Sequence, residues 1–289
     1  MESSADLLSL VLSLRPLQME VERELPRWWG RAALAMLLNL IRQQDDRLAQ
    51  ELHDTQGVQP FTASNLIGRF PQRRLDTNST YNLRLTVLQP RLAAILLKGV
   101  QPGGGLAVGA QLELDYMPFT VEAAYTEAGQ HPWAANGTYQ ELATRRLLTP
   151  TSPERSLALQ FSSPVSFKSD GVMLPLPLPG LVFGSLLDKW NAFAAVVFPL
   201  EARQFAEKCL AVKRYRLYTR AVALKDEATR IGGVGEIVYT TLNYDRYWMS
   251  VMHTLADFAF FCGVGMSASM GMGQCRRLDG DGDHPVNEE

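Results

Sequence analysis

Cysteine is scarce in this chain. There are three in 289 residues, Cys209, Cys262 and Cys275. None stands in a C-x-x-C pair, and none has a histidine at zinc-ligand spacing. A sparse, odd count argues against a disulfide framework and fits a reducing compartment. Long apolar runs are missing as well. No stretch of about 18 uncharged apolar residues occurs, so no membrane span is expected. A basic excess is also missing: 28 Lys and Arg stand against 30 Asp and Glu, a net charge of −2. Any anion-binding surface must therefore be local. The opening MESSADLLSLVLSL lacks a basic start and carries Asp6, which is unlike a secretory signal. No cluster of metal-ligating residues stands out, and no cofactor or metal is expected. These absences predict a cytoplasmic globular protein. At 46% hydrophobic residues, the length favours two domains over one.

What is present reads as a repeated order of elements. Leu8, Leu10, Leu12 and Leu14 alternate with Ser9, Val11, Ser13 and Arg15, the period of a half-buried strand. Pro26 is expected to open a helix whose buried stripe is Trp29, Ala33, Met36, Leu37 and Leu40. Arg27 and Arg31 lie on another face of it. A short helix follows, with Asp45 and Asp46 at its start, Gly57 after its end and His53 in its last turn. VQPFTASNLIG and STYNLRLTVLQ read as strands, PRLAAILLKGV as a helix and GAQLELDYMPFTVEAAY as strand again. The order strand, helix, strand, strand, helix, strand is the ferredoxin-like (RRM-like) βαββαβ unit. It recurs after a connection. RSLALQFSSPVSFK is a strand, LPLPLPGLVFGSLLDKWNAFA is a proline-punctuated loop leading into a helix, LAVKRYRLYTRAVAL and GGVGEIVYTTL are strands, DRYWMSVMHTLADFAFFCGVG is a helix and MGMGQCRRL the last strand.

The predicted fold class is therefore α+β, with two tandem ferredoxin-like domains. The expected boundaries are 1–128, a connection over 129–152, a second domain over 153–278 and a disordered tail over 279–289. The acidic start of that tail, DGDGD, lacks the remaining ligands of a calcium loop.

The segment FCGVGMSASMGMGQCRRL holds two Gly-x-Gly pairs, Gly263/Gly265 and Gly271/Gly273. Gly263-x-Gly265-x-x-Ala268 fits a dinucleotide fingerprint, but a helix rather than a strand precedes it, so the context fails. A permissive turn between helix and strand accounts for one or two glycines at positive φ. A loop whose bare N–H groups approach phosphates accounts for the full spacing. The strand VKRYRLYTR places Arg214, Arg216, Tyr218 and Arg220 on one face, which suits RNA or single-stranded nucleic acid. The bland alternative is a solvated outer face.

The spacing G-h-G-x5-G-h-G at the end of a tandem ferredoxin-like chain resembles the RAMP superfamily of CRISPR-associated RNA-binding proteins. Within it the chain is similar to the Cas6 family, endoribonucleases that cut CRISPR repeat RNA. LHDTQGVQPFTASNLIG resembles the family's Leu-His segment, and LQFSSPVSF its Phe-x-Ser-Pro strand. PLPLPGLVFGSLLDKWN resembles its Pro-x-Pro loop and following helix, and GGVGEIVYTTL its Gly-x-x-Gly-x-Val strand. The resemblance implies a metal-independent reaction on CRISPR repeat RNA. The 2′-OH attacks the adjacent phosphate, leaving a 2′,3′-cyclic phosphate and a 5′-OH. It implies His53 as the catalytic histidine, with the crRNA kept for an interference complex. A non-catalytic RAMP subunit holding crRNA is the alternative.

The residues themselves are compatible with this. A histidine in the last turn of a helix feels the negative end of the helix dipole, which favours imidazolium. Imidazolium can protonate a leaving 5′-oxygen, and neutral imidazole can take the 2′-OH proton. A capping role is the structural alternative for His53. Many family members carry a tyrosine on the first helix and a lysine shortly after the histidine, where this chain has Leu38 and Gln59. Arg27 or Arg31 is then the candidate to stabilise the phosphate's developing charge, the alternative being solvated helix arginines. The candidate RNA contacts are Gly263, Gly265, Ser267, Ser269, Gly271 and Gly273 of the loop, with Arg214, Arg216 and Arg220 of the basic strand.

Overall fold

The computed structural model describes residues 5–18, 24–55, 57–223 and 229–278. The tail expected over 279–289 lies outside the described residues. The chain groups into two units.

The first unit is built on β1 (Leu7–Pro16), α1 (Gly30–Gln44), α2 (Asp46–Asp54), β2 (Phe61–Ala63), β3 (Tyr81–Val87), α3 (Pro90–Gly99), β4 (Gln111–Leu114), β5 (Met117–Tyr125) and β6 (Ala135–Gly137). The strand order is β2-β3-β1-β5-β4, with β6 beside β1. The middle strands are the ferredoxin-like arrangement. The single long strand expected over 109–125 is a hairpin, because Asp115 and Tyr116 both adopt positive φ and turn the chain. Leu8, Leu10, Leu12 and Leu14 pack with Ala33, Leu37, Leu40 and Ile41 of α1 in one core. Fully burying each such leucine contributes roughly 1.5–3 kcal/mol.

Two local expectations are corrected. β1 is buried on both faces rather than one. Ser9 accepts a hydrogen bond from Arg84 Nε at 2.8 Å and donates to the Trp133 carbonyl, and the Arg84 guanidinium lies 4.8 Å from the Trp133 ring centre. A fully satisfied polar group tolerates burial there. The first helix starts at Gly30 rather than Pro26, because the two tryptophans before it are held by other parts of the unit.

The second unit contains β7 (Ser156–Val165), β8 (Phe167–Ser169), β9 (Val172–Leu174), α5 (Pro179–Phe193), α6 (Glu201–Cys209), β10 (Leu210–Ala223), β11 (Thr229–Thr241), α7 (Arg246–Cys262) and β12 (Cys275–Leu278). Its sheet runs β10-β11-β7-β12, again with the first strand of the unit inside. Trp190 of α5 packs edge-on to Phe258 of α7 at 5.2 Å and stacks on Phe198 at 4.8 Å. The sequence reading missed α6, whose Ala202, Phe205 and Ala206 are buried. The connection expected over 129–152 holds β6, which extends the first sheet, and α4 (Tyr139–Leu147), where the first unit gives way to the second. Ser267–Met272, from the far end of the sequence, group with the first unit. Among the described residues no helix is long and apolar enough to cross a membrane.

Below the second sheet, Asp257 receives Arg146 at 2.6 Å and Arg277 at 3.3 Å. His253 lies beside them, 1% exposed. Its Nε2 is 2.9 Å from the Glu154 carbonyl, an acceptor, so Nε2 carries the proton. Its Nδ1 is buried without a partner among the described residues. Burial therefore holds His253 below its ordinary value of 6.5, the Glu154 carbonyl working against this. The unfolded chain then binds a proton that the folded one refuses. Stability is present above the unfolded value and falls as pH drops through it. We expect the melting temperature to fall between about pH 7 and pH 5, and His253→Gln to reduce that slope. Equal slopes in differential scanning fluorimetry would refute the assignment.

Candidate functional site

The site starts where α1 begins. The Trp28 indole N–H donates to the Met270 carbonyl at 2.6 Å. Trp28 also packs with Val222 and Met272 in a small apolar cluster. The Trp29 amide donates to Asn65 Oδ1 at 2.7 Å. Between them the chain makes room: a Cβ on Gly30 would lie 1.8 Å from the Met270 oxygen. Ser64, just past β2, forms a parallel bridge with Gly271. Gly271 sits at φ 92, and a Cβ there would fall 2.7 Å from the Asn65 nitrogen. The helix start, the end of β2 and Ser267–Met272 thus meet within the first unit. Arg27 and Arg31 flank the junction, both exposed. Neither pairs with a carboxylate among the described residues.

The helix that carries His53 comes directly after α1. Asp45 ends α1 and caps α2 by accepting from the Leu48 amide at 3.0 Å. That amide, and then the Arg91 guanidinium, hold its carboxyl below the usual value. Leu48, Ala49 and Leu52 seat α2 on the core. His53 falls in its last turn, as expected, and its side chain lies outside the described residues. Gln59, where many family members have lysine, donates from Nε2 to the Thr55 carbonyl at 2.9 Å. Leu38 is half-buried against the core.

The four loop glycines are explained largely by the protein itself. Gly263, Gly265, Gly271 and Gly273 all have positive φ. A Cβ on Gly265 would lie 2.5 Å from the Ser166 oxygen, and one on Gly273 would lie 1.9 Å from the Val264 oxygen. Their amides donate to Ala259 O, Ser185 Oγ, Ala268 O and Pro164 O, in chain order. The expectation of bare glycine N–H groups facing phosphates is corrected on this point, since the chain's own acceptors take them. What the loop presents is its half-buried interior around Ser267 and Ser269. At the loop's entry, the buried Lys189 of α5 donates to the carbonyls of Cys262 and Gly263 at 3.1 and 2.9 Å.

The first unit therefore carries His53, Arg27, Arg31, Ser267, Ser269 and Gly271. The second carries Gly263, Gly265, Gly273, Arg214, Arg216 and Arg220. Arg214, Arg216, Tyr218 and Arg220 are exposed along β10. Arg31 also lines a groove along α1 with Asn39 and Arg42, but Glu113 and Asp115 stand on its other wall. That mixture of signs suits a polyanion poorly. Trp28, Gly30, Asn65 and Lys189 were missed from sequence. The only local signal was a glycine directly behind a Trp-Trp pair, inside a predicted helix. Among the described residues no group of three His, Cys, Asp or Glu is arranged to hold a metal.

Known proteins share this architecture. A Thermus thermophilus Cas6 solved as a product complex superposes with a TM-score of 0.78 at 26% identity, covering 96% of this chain and all of that one. Residues 159–275 match the family model for CRISPR-associated endoribonuclease Cas6. Over that segment the chain is similar to the Cas6 family. A second Cas6 product complex gives a TM-score of 0.72 at 28% identity, over 94% of this chain and 99% of the other. That Cas6 is also solved as a substrate-mimic complex and as a variant with one histidine replaced by alanine. The CRISPR-associated endoribonuclease Cas6 of Mycobacterium tuberculosis is 31% identical over 123 residues, 42% of this chain. The alignment spans 38% of that relative's length.

Gly30→Ala tests the junction. Alanine gains up to about 1 kcal/mol of helix propensity over glycine. A contact of 1.8 Å with a backbone oxygen has no flexible end to yield, and overpacking of that kind costs about 1–3 kcal/mol. The clash should win: the variant should melt lower than wild type, with earlier proteolysis near residues 267–272. An unchanged melting temperature and digestion pattern would refute the close packing.

Proposed function

We propose that this chain is a metal-independent endoribonuclease that binds CRISPR repeat RNA and cleaves precursor crRNA. The observation that carries the reading is its likeness, over nearly the whole chain and at 26–28% identity, to Cas6 proteins solved as product and substrate-mimic complexes. The reaction is an in-line displacement. The ribose 2′-oxygen next to the scissile phosphate forms a bond to phosphorus and the bond to the 5′-oxygen breaks. The 2′-OH gives up its proton and the leaving oxygen gains one. The products are a 2′,3′-cyclic phosphate and a 5′-OH.

His53 is the general acid of this reading. It sits at a helix C-terminal turn, where the dipole favours the imidazolium that donates to the leaving oxygen. The relative with a histidine replaced by alanine supports the choice of residue type. Arg27 and Arg31 stabilise the charge that develops on the phosphate. In the first unit Ser267 and Ser269 contact the backbone of the RNA, and in the second unit Arg214, Arg216 and Arg220 of β10 bind RNA phosphates. The processed RNA stays bound for transfer to an interference complex.

The deciding assay is cleavage of a repeat RNA from the source genome in EDTA, beside a substrate with 2′-deoxy at the scissile position. The first should be cut and the second left intact. His53→Ala should lower cleavage by about 10²- to 10⁴-fold with repeat binding largely retained. Tight binding without cleavage by the wild-type chain would favour a non-catalytic crRNA-holding subunit. Replacing Arg214 and Arg216 by Ala should weaken binding and flatten its dependence on salt. An unchanged affinity and salt slope would remove β10 from the RNA path.

A further inference from the structure

Lys189 is a buried cation with no part in the cleavage chemistry, yet it stands at the entry of the glycine-rich loop. It lies on α5, 9% exposed. Its ammonium reaches across to α7 and meets the last turn, where helix carbonyls have no intrahelical donor. It donates to Cys262 O at 3.1 Å and to Gly263 O at 2.9 Å. A lysine in that place satisfies orphan acceptors and complements the negative end of the helix dipole.

Those two carbonyls govern the path of the loop. Gly263 is the residue at which α7 ends, at φ 60 and ψ 176, so the two peptide units set the direction in which the loop departs. The next residues are tied in sequence: Val264 N–H to Gly273 O, Gly265 N–H to Ser185 Oγ and Met266 N–H to Ser166 O. Ser185 lies one helical turn before Lys189 on α5. One helix therefore holds the loop's entry at two points, by a hydroxyl and by an ammonium. Side chains that hold a turn in this way fix the path of its half-buried apex, and placement to within about 1 Å governs productive contact with a substrate.

We propose that Lys189 is a positioning residue for RNA binding, acting through the carbonyls of Cys262 and Gly263 to set the geometry of the Ser267–Ser269 apex. It touches no substrate itself. This role rests on the reading of the loop as part of the RNA site, and the experiment separates the two.

The experiment compares wild type with Lys189→Met, which keeps the stem volume and removes the donors, and with Lys189→Arg, which restores them. The probe is the repeat RNA of the source genome. Single-turnover cleavage gives the saturating rate and the half-saturating protein concentration. Hydrogen exchange of amides 264–272 reports the loop directly, and near-UV circular dichroism reports folding. Folded Lys189→Met should need about tenfold more protein for half-saturation, keep its saturating rate within about threefold and exchange faster in the loop than in α7. Lys189→Arg should recover at least half of the loss in affinity. Wild-type affinity and loop protection in folded Lys189→Met would overturn the proposal. If that variant does not fold, Lys189→Gln, which keeps a shorter donor, decides by the same readouts. A wild-type chain that neither binds nor cuts the repeat would instead remove the RNA reading, and the role of Lys189 with it.

Discussion

One carbonyl group, that of Met270, organises the junction on which the candidate site depends. It accepts from the Trp28 indole at 2.6 Å and lies where a side chain on Gly30 would have to be. Two stretches separated by most of the chain are brought into backbone contact by one hydrogen bond and one missing Cβ. An unmet carbonyl in such a place would cost about 1–3 kcal/mol, so the indole donor and the glycine are needed together. The consequence is the start of α1. With Trp28 committed to Met270 and the Trp29 amide committed to Asn65, the helix begins at Gly30, and Arg27 and Arg31 fall on either side of the junction.

Charge follows the same logic of local supply. The chain as a whole is nearly neutral, so any attraction for a polyanion would have to come from arginines left without carboxylate partners. Other arginines already have partners within the protein. Arg84 is spent on Ser9 and Trp133, Arg146 and Arg277 on Asp257, and Arg91 on Asp45. A count of basic residues therefore says little about local charge, since only some, such as the exposed Arg27, Arg31 and Arg216, pair with no carboxylate among the described residues.

The glycine-rich segment shows how a motif can be read correctly as unusual and for a different cause. Four glycines in two pairs do mean close approach of backbone. The partner is mainly protein: Ser166 and Val264 in the second unit, Asn65 in the first. The same glycines that leave space for the chain's own acceptors shape the short turn around Ser267 and Ser269. The structural demand in this loop is met by the glycines, and Ser267 and Ser269 between them stay half-buried.

Periodicity and punctuation alone determined much here. The leucine alternation of β1, the Asp45 cap and last-turn position of His53, the Pro90 start of α3 and the repeated strand and helix order all arise from interactions within a few residues. These made the tandem ferredoxin-like class and the family resemblance legible. The tertiary structure alone decided the rest. Sequence could not give the burial of Ser9 and Arg84, which depends on Trp133 arriving from 124 residues beyond Ser9 and 49 beyond Arg84. Nor could it give the grouping of Ser267–Met272 with the first unit, the reason for Gly30, or the reach of Lys189 to α7. Each of these is a contact between distant segments, and such contacts are selected by packing and hydrogen-bond satisfaction in three dimensions, for which local pattern carries no signal.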